Sequence, residues 1–310
     1  MKGEVRAFAP ATVANVSCGF DILGFAIDTL GDVVRVKEKK EPGIQVVSIT
    51  GDQGRLPLDP TKNTCAVAVQ ALLTELNQTI GLEIYLEKGL PLGSGLGSSA
   101  ASAVAALVAT NRLLDDPFEK KQLLPFAMAA EKIACGVGHA DNVAPCLLGG
   151  FVLIRDYLPL DIIKLPVPKD LHCIVLHPHF ELNTADSRAV IRDRIAVSQA
   201  TIQSGNVAGL IAGLFQEDFE LIGRSLKDVI AEPYRAALIP AFYQVKEAVL
   251  AAGALGMGIS GSGPTLFVLT KGKDQVQQIL EAARLVYDSF GLGVDDYHSS
   301  INTEGAYVLD

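Results

Sequence analysis

A glycine-rich segment in the first third of the chain, residues 90–102, reads LPLGSGLGSSAAS. Glycine has no Cβ, so such a loop can turn its N–H groups towards an anion. The stretch from Ala100 to Leu114 favours a helix, whose N-terminal N–H groups and dipole would face the same anion. Ser98 and Ser99 stand at the junction, where a hydroxyl either caps the helix or reaches a phosphate or its magnesium ion. The segment therefore predicts a phosphate-binding loop that opens a helix.

This loop matches neither of the two commonest phosphate-binding patterns. A Walker loop carries a lysine before its Ser or Thr, whereas here Ser98 follows Gly97 directly. The dinucleotide-binding pattern G-x-G-x-x-G is also not met. The alternative is a flexible loop before a buried helix, so the loop by itself assigns no function.

Two short polar segments lie far from this loop in sequence. One is residues 10–24, PATVANVSCGFDILG, in which Asn15 and Asp21 follow the first predicted strand. The other, residues 138–142, reads GHADN and lies between two apolar stretches. Such side chains either bind a polar ligand or close a loop by bonding its backbone. The second segment supplies three of them: His139, Asp141 and Asn142.

Three charged residues add to these segments. Glu131 and the adjacent Lys132 interrupt the apolar stretch 126–134, where the carboxylate of Glu131 either faces solvent or binds magnesium. Arg188 and Arg235 are each flanked by turn residues. A guanidinium at such a place either forms an ion pair on the surface or binds a carboxylate with two hydrogen bonds.

Composition excludes several classes of partner. The 310-residue chain is long enough for a large core divided between two packed lobes. Its formal net charge of −9, with no basic run, argues against nucleic acid and against a membrane surface. The opening MKGEVRAFAP does not resemble a signal peptide, and the apolar stretch 100–108 is too short to span a bilayer. Five cysteines without C-x-x-C spacing indicate reduced, mostly buried thiols. We therefore expect a cytoplasmic protein that binds small molecules.

Residue patterning predicts a mixture of strands and helices. The predicted strands are 5–9, 33–37, 44–50, 82–87, 149–155, 171–177 and 265–270. The predicted helices are 64–77, 99–114 and 122–133, followed by a helical region over 188–250 and a glycine loop over 259–264. A second lobe is expected to begin near residue 158.

Four segments, in this order, resemble the superfamily of galactokinase, homoserine kinase, mevalonate kinase and phosphomevalonate kinase: PATVANVSCGFDILG, LPLGSGLGSSAAS, GHADN and MGISGSGPT. The second and fourth are shared across the superfamily. The first, the third and the two arginines resemble its homoserine kinase branch. The resemblance covers essentially the whole chain and implies an α+β fold of two lobes. Residues 1–157 would form an ATP-binding lobe like ribosomal protein S5, with a left-handed crossover, and residues 158–310 a ferredoxin-like lobe. The family is commonly homodimeric.

The resemblance also implies where ATP and magnesium bind. Ser99 and Glu131 would hold the Mg²⁺ that bridges the β- and γ-phosphates, and Lys88 would help to neutralise their charge. Asn63 would lie near the adenine. The segment expected to wrap the ATP phosphates comprises Pro91, Leu92, Gly93, Ser94, Gly95, Leu96, Gly97, Ser98, Ser99, Ala100 and Ala101.

The second substrate implied by the resemblance is L-homoserine, phosphorylated on its side-chain hydroxyl in threonine biosynthesis. Arg188 and Arg235 suit its α-carboxylate, and Asp21 suits its α-ammonium. Asn142 would orient the attacking hydroxyl, and the loop 261–263 would close over the site. The full pocket would be Asn15, Asp21, His139, Thr184, Arg188, Arg235 and Gly261.

Asp141 occupies the place of a catalytic aspartate in the mevalonate branch. We interpret it as supporting, because phosphoryl transfer depends mostly on positioning and charge neutralisation. One residue departs from the family pattern: Ser17 stands where a glycine is usual, so the loop must bend with Ser17 in an allowed region.

Two other functions fit parts of this pattern. One is a sister kinase of the same fold, for mevalonate or shikimate, although mevalonate has no ammonium for Asp21 to meet. The other is a non-catalytic sensor of a sugar or amino acid. The presence of both Ser99 and Glu131 argues against a sensor.

Overall fold

The computed structural model describes residues 3–136 and 138–310. Its strands are β1 (Glu4–Ala14), β2 (Leu23–Lys39), β3 (Gly43–Thr50), β4 (Gly81–Glu87), β5 (Phe151–Tyr157), β6 (Leu160–Leu165), β7 (Leu171–Pro178), β8 (Gly256–Ile259), β9 (Leu266–Lys271), β10 (Val294–Ser300) and β11 (Tyr307–Leu309). Its α-helices are α1 (Thr64–Glu75), α2 (Ser98–Leu113), α3 (Leu124–Cys135), α4 (Ala140–Leu148), α5 (Thr184–Ala189), α6 (Val197–Gln216), α7 (Phe219–Ser225), α8 (Glu232–Arg235), α9 (Phe242–Ala251) and α10 (Val276–Ser289).

The first sheet has the strand order β11-β1-β2-β4-β3, and the hairpin β5–β6 continues it beside the start of β2. Its pairs are antiparallel except β3 and β4, which are parallel and joined through α1. Parallel neighbours need such a crossover connection. The crossover agrees with the lobe expected for the first part of the chain, while its left hand stays a prediction.

The second sheet is antiparallel, with the order β10-β7-β9-β8. Counted along the chain, this is the order 4-1-3-2, with helices α5 to α9 between the first two strands and α10 between the last two. This is the βαββαβ arrangement of a ferredoxin-like lobe. The predicted α+β fold of two lobes is confirmed.

Helix α2 is the central element of the first lobe. It is alanine-rich and buried around most of its circumference, packed on β1, β2 and helices α1, α3 and α4. A helix that is apolar on all sides is stable only inside a core. Its position is therefore fixed rigidly, and so is that of the glycine-rich loop that precedes it.

The predicted elements recur with several differences, among them strands β6, β8, β10 and β11, which the sequence patterns do not predict. Strand β1 extends to Ala14, so the segment that starts at Pro10 begins as strand rather than loop. Helix α4 follows His139, where no helix is predicted, because Pro145 inside it masks the helical pattern. Helix α10 was also not predicted. It is an amphipathic helix, with Ile279, Ala283 and Tyr287 buried on one face.

Strand pairing does not follow the predicted lobe boundary at residue 158. The hairpin β5–β6 straddles that position, and the last strand, β11, returns to pair with β1. The hydrogen bonds thus join 160–165 and 307–309 to the first sheet. Four cysteines, Cys18, Cys65, Cys146 and Cys173, are free and buried as expected. The side chain of Cys135 lies outside the described part of the chain.

Candidate active site

A cleft of about 480 Å³ lies where the two lobes meet. Its walls come from the glycine-rich loop, the loop after β1, the N-termini of α1 and α4, helix α5 and the loop after β8. Its walls include these predicted residues: Asn15, Asp21, Asn63, Lys88, Leu92, Gly93, Ser94, Gly95, Gly97, Ser98, Ser99, Glu131, His139, Asp141, Asn142, Thr184, Arg188, Arg235 and Gly261. Four others, Pro91, Leu96, Ala100 and Ala101, do not line it. Leu96, Ala100 and Ala101 are buried behind the loop.

At one end of the cleft the loop meets the start of α2. The helix begins after Gly97, whose φ is +66°, with no side-chain cap on its first turn. Of the two roles left open for the serine hydroxyls, capping is therefore not seen, and the first N–H groups of the helix have no side-chain cap at this end of the cleft. A Cβ at Gly97 would lie 2.1 Å from the Thr12 hydroxyl and 2.8 Å from Asn142 Oδ1. Only glycine allows that approach.

A buried ion pair anchors the same loop from behind. Lys88 and Asp32 have side-chain exposures of 1% and 0%, and the Lys88 ammonium bonds the Asp32 carboxylate. It also donates to Ser98 O at 2.9 Å, Ser98 Oγ at 2.7 Å and Ser102 Oγ at 3.0 Å. Because these partners already surround the ammonium, Lys88 holds the loop in place. That it also neutralises phosphate charge stays a prediction.

Ser99 and Glu131 are neighbours in the wall of the cleft. The Ser99 hydroxyl hydrogen-bonds the Glu131 carboxylate. Burial raises the pKa of Glu131, while the Ser99 bond and the charge of Lys88 act in the opposite direction. A buried carboxylate beside a hydroxyl is a donor set that suits Mg²⁺, which takes few protein oxygens and completes its shell with water and phosphate. Among the described residues no three His, Cys, Asp or Glu side chains form a metal cage of their own.

Helix α4 brings two predicted residues to the floor of the cleft. Thr12 donates its hydroxyl proton to Asn142 Oδ1 at 2.7 Å. The Asn142 amide nitrogen is thereby left as the group that can meet a ligand. Burial raises the pKa of Asp141 to about 7, and the charges of Asp21 and Glu131 add to this effect.

At the opposite end the predicted polar residues pair with one another. Arg188 binds Asp21 with two hydrogen bonds, of 2.6 Å from Nη2 and 3.3 Å from Nη1. The side chains are 42% and 23% exposed, so solvent or a ligand can reach the pair. His139 Nδ1 lies 3.8 Å from the same carboxylate. Burial lowers the pKa of His139, which favours the neutral imidazole.

Arg235 is buried beside this pair. Its Nε donates to Ser187 O at 3.0 Å and its Nη1 to Gly261 O at 2.8 Å. Gly261 O also accepts from Asn15 Nδ2 at 2.8 Å. The loop after β8 is thus held against the first lobe, and its closure over bound substrate stays a prediction. The rest of the Arg235 guanidinium remains available to a carboxylate.

The loop that carries Asp21 has an unusual backbone. Asn15, Val16 and Ser17 have φ values of +71°, +43° and +56°, and Asp21 has +60°. Ser17 therefore adopts the left-handed region, as a glycine would. Such conformations cost non-glycine residues free energy and persist only where their surroundings hold them.

Several residues of the site were missed by sequence reasoning. Thr12 and Asp32 bond the predicted residues Asn142 and Lys88 across 130 and 56 positions of sequence. Ser102 bonds Lys88 across 14 positions and Asp32 across 70. The Phe20 ring lies 5.6 Å from the Arg188 guanidinium and 5.3 Å from that of Arg235. Thr12, Phe20 and Ser102 belong to segments quoted for the resemblance, so that signal was present. Asp32 lies outside all four segments and carries no local signal.

Asn63 lines the cleft, and its place near the adenine stays a prediction. Asn63 caps α1 by accepting from Cys65 N at 3.0 Å and donates to Pro57 O at 2.9 Å. Arg55 and Lys62 line the cleft nearby. The Arg55 guanidinium makes two bonds, of 2.7 and 3.3 Å, to Glu181 of the second lobe.

Known proteins resemble the chain in both lobes. The family pattern of the GHMP kinases N terminal domain matches residues 63–150, and that of the GHMP kinases C terminal domain matches residues 210–289. Together with the two lobes and the cleft between them, these matches define the chain as a GHMP kinase.

Full-length relatives define the branch. A homoserine kinase of Chlorobium phaeobacteroides is 48% identical, over 98% of this chain and 99% of that protein. The crystal structure of homoserine kinase from Cytophaga hutchinsonii has a TM-score of 0.97 and 53% identity, covering 100% of this chain and 98% of that one. The chain belongs to the homoserine kinase family.

A more distant structure shares the fold alone. The mevalonate kinase of Methanococcus jannaschii has a TM-score of 0.71 at 15% identity, covering 97% of this chain and 99% of that one. No helix in the described ranges is both long and apolar enough to cross a membrane.

Proposed function

We propose that the chain transfers the γ-phosphoryl group of ATP to the side-chain hydroxyl of L-homoserine, giving O-phospho-L-homoserine for threonine biosynthesis. The observation that carries this proposal is the Asp21–Arg188 pair beside Arg235. An α-amino acid carries one ammonium and one carboxylate. Its ammonium can replace Arg188 as the partner of the Asp21 carboxylate. Its carboxylate can then pair with Arg188 and with the remaining guanidinium donors of Arg235.

The other end of the cleft suits a nucleotide triphosphate. The uncapped first turn of α2 and the glycine-rich loop offer backbone N–H groups to phosphate oxygens. Ser99 and Glu131 would hold Mg²⁺, which supplies neutralisation of phosphate charge when bound. The cytoplasmic location, expected from composition, and the homodimer, implied by the resemblance, stay predictions.

Positioning accounts for the chemistry. Phosphoryl transfer has a loose transition state, so alignment and fixed charge matter more than a strong base. Thr12 orients the Asn142 amide towards the attacking hydroxyl. Asp141 supports this arrangement. Asp141→Asn should therefore lower kcat by less than the roughly 10²- to 10⁴-fold expected for a lost general base.

The test is an ATP-coupled assay with magnesium, offering L-homoserine, L-serine, L-threonine, mevalonate and shikimate in parallel. Arg188→Met should raise the KM for homoserine roughly 10- to 100-fold, the effect of losing charged hydrogen bonds, and leave the KM for ATP unchanged. Arg192→Met is the matched control, because Arg192 is exposed and lies outside the cleft.

Each alternative gives a different result in this assay. Turnover of mevalonate or shikimate alone would assign a sister kinase. No turnover of any of the five would favour a sensor. Equal effects of the two arginine variants would contradict the role of Arg188.

A further inference from the structure

We propose that the Tyr157 hydroxyl positions the amino-acid end of the site by joining its two halves. The hydroxyl donates to Asp21 O at 2.9 Å and accepts from Ala140 N–H at 3.3 Å. Asp21 lies on the loop after β1, and Ala140 begins the helix that carries Asp141 and Asn142. This inference rests on the proposed function, since it concerns the same site.

Both partners of the hydroxyl need a hydrogen bond. Ala140 N–H belongs to the first turn of α4, whose N–H groups have no partner within the helix. Asp21 holds a left-handed backbone, with its N–H bonded to Asn15 Oδ1 at 2.9 Å. Tyr157 holds this residue at its carbonyl. Asp21 is thus fixed at both its amide and its carbonyl.

Tyr157 acts from outside the cleft. It is not among the cleft-lining residues, and it ends strand β5, which pairs with β2 in the first sheet. Its ring packs edge-on against that of His139, with centroids 6.4 Å apart and planes at 86°. Burial raises the pKa of Tyr157 to about 12, so the hydroxyl keeps its proton at neutral pH. A rigid strand therefore presents a permanent donor to the loop.

Removing the Tyr157 hydroxyl should weaken the binding of one substrate, homoserine. Without the hydroxyl, no side chain joins the loop that carries Asp21 to the start of α4. The distance between the Asp21 carboxylate and the polar side chains of α4, which would both contact homoserine, is then no longer fixed. The phosphate-binding loop is anchored separately, by Lys88 and Asp32. Loss of the hydroxyl should therefore raise the KM for homoserine and leave the KM for ATP unchanged.

The experiment compares Tyr157→Phe with Tyr85→Phe in the full chain. Tyr85 is the matched control, because its hydroxyl bonds Glu83 Oε2 at 2.9 Å on β4 and it does not line the cleft. We expect Tyr157→Phe to raise the KM for homoserine about 10-fold, the order for two lost hydrogen bonds. The KM for ATP and both constants of Tyr85→Phe should stay within about 2-fold of the parent.

The Tm of each variant is measured alongside the kinetics. A Tyr157→Phe protein with parental KM for homoserine would overturn the inference alone. So would a parallel rise in both KM values with a fall in Tm, or failure to fold, because each would assign a general structural role. No turnover of homoserine by the parent chain would overturn the proposed function and this inference together.

Discussion

Two loops of different construction meet in the cleft. The glycine-rich loop before α2 places glycines at its left-handed positions 93, 95 and 97. The loop after β1 adopts left-handed backbone at Asn15, Val16, Ser17 and Asp21, none of which is glycine. The first loop therefore takes its shape at little conformational cost, whereas the second is held in a costly shape by its neighbours.

The two loops differ in backbone conformation because they offer different groups to their ligands. Backbone N–H groups suit a phosphate, and glycine brings them close to it. An amino acid is recognised by side chains, which glycine cannot supply. Asn15 and Asp21 keep their side chains and are tied to Gly261 and Tyr157 instead. Specific recognition of the smaller substrate thus requires strain that recognition of phosphate avoids.

The largest effect should come from breaking the anchor of the glycine-rich loop. Asp32→Asn leaves the Lys88 ammonium buried without its counter-charge, which typically costs about 3–5 kcal/mol of the free energy of unfolding. Asp32 Oδ1 also accepts from Gly89 N–H at 3.1 Å, so the chain leading into the loop should loosen. Denaturant titration measures the loss.

The matched control for this variant is Asp116→Asn. Asp116 pairs with Arg112 on the surface, with side chains 45% and 44% exposed. Removing an exposed pair should change the free energy of unfolding by less than about 1 kcal/mol. Equal losses in the two variants would mean that water reaches Lys88, contrary to its burial.

The next effect concerns Asp141, on the amino-acid side. Its folded pKa of about 7 lies above the unfolded value of roughly 3.9. Between these values the folded state keeps a proton that the unfolded state has lost. Raising the pH through this window therefore lowers the free energy of unfolding, by up to about 1.4 kcal/mol per pH unit from this group. Asp141→Asn should make that decline shallower.

Denaturant titrations at pH 5, 6 and 7 measure the two slopes. Asp193→Asn is the control, because Asp193 is exposed on the segment between α5 and α6. It should keep the slope of the parent chain. Parallel slopes for Asp141→Asn and the parent would contradict a buried, protonated Asp141.

Local signals in the sequence were enough to predict one loop and only part of the other. Alternating glycines before an alanine-rich helix predict the phosphate-binding loop, because both features lie within residues 90–114. The partners that fix the other loop come from distant strands and helices. The Tyr157 hydroxyl reaches Asp21 across 136 positions, and Asn15 reaches Gly261 across 246. No spacing rule reports such contacts, since they depend on how the sheets pack.

Helix α4 illustrates the same limit. Its sequence places Asp141, Asn142 and Pro145 within one short helix of 9 residues. These types are unfavourable in helices, so local propensity predicts no helix. Burial of Val143, Ala144 and Leu147 against the core overrides that preference. Tertiary packing therefore decides where the two polar side chains point.

The smallest effect is the sharpest test of the comparison between the loops. Ser17→Gly should relieve a left-handed serine, which costs about 1–2 kcal/mol relative to ordinary backbone. Among the described residues, Ser17 Oγ is buried with no hydrogen-bond partner, so nothing is lost with the hydroxyl. Glycine adds about 0.4–1 kcal/mol of unfolded-chain entropy, which offsets part of the gain.

The net expectation for Ser17→Gly is a rise of about 1 kcal/mol in the free energy of unfolding. The KM for homoserine should not change, because Asn15 and Asp21 keep their own anchors. Ser225→Gly is the control, since Ser225 is equally buried but ends helix α7 in ordinary helical backbone, where replacing serine by glycine should destabilise by roughly 0.5 kcal/mol. If both variants lost stability alike, the loop after β1 would not be strained at Ser17. The contrast with the glycine-rich loop would then rest on side-chain chemistry alone.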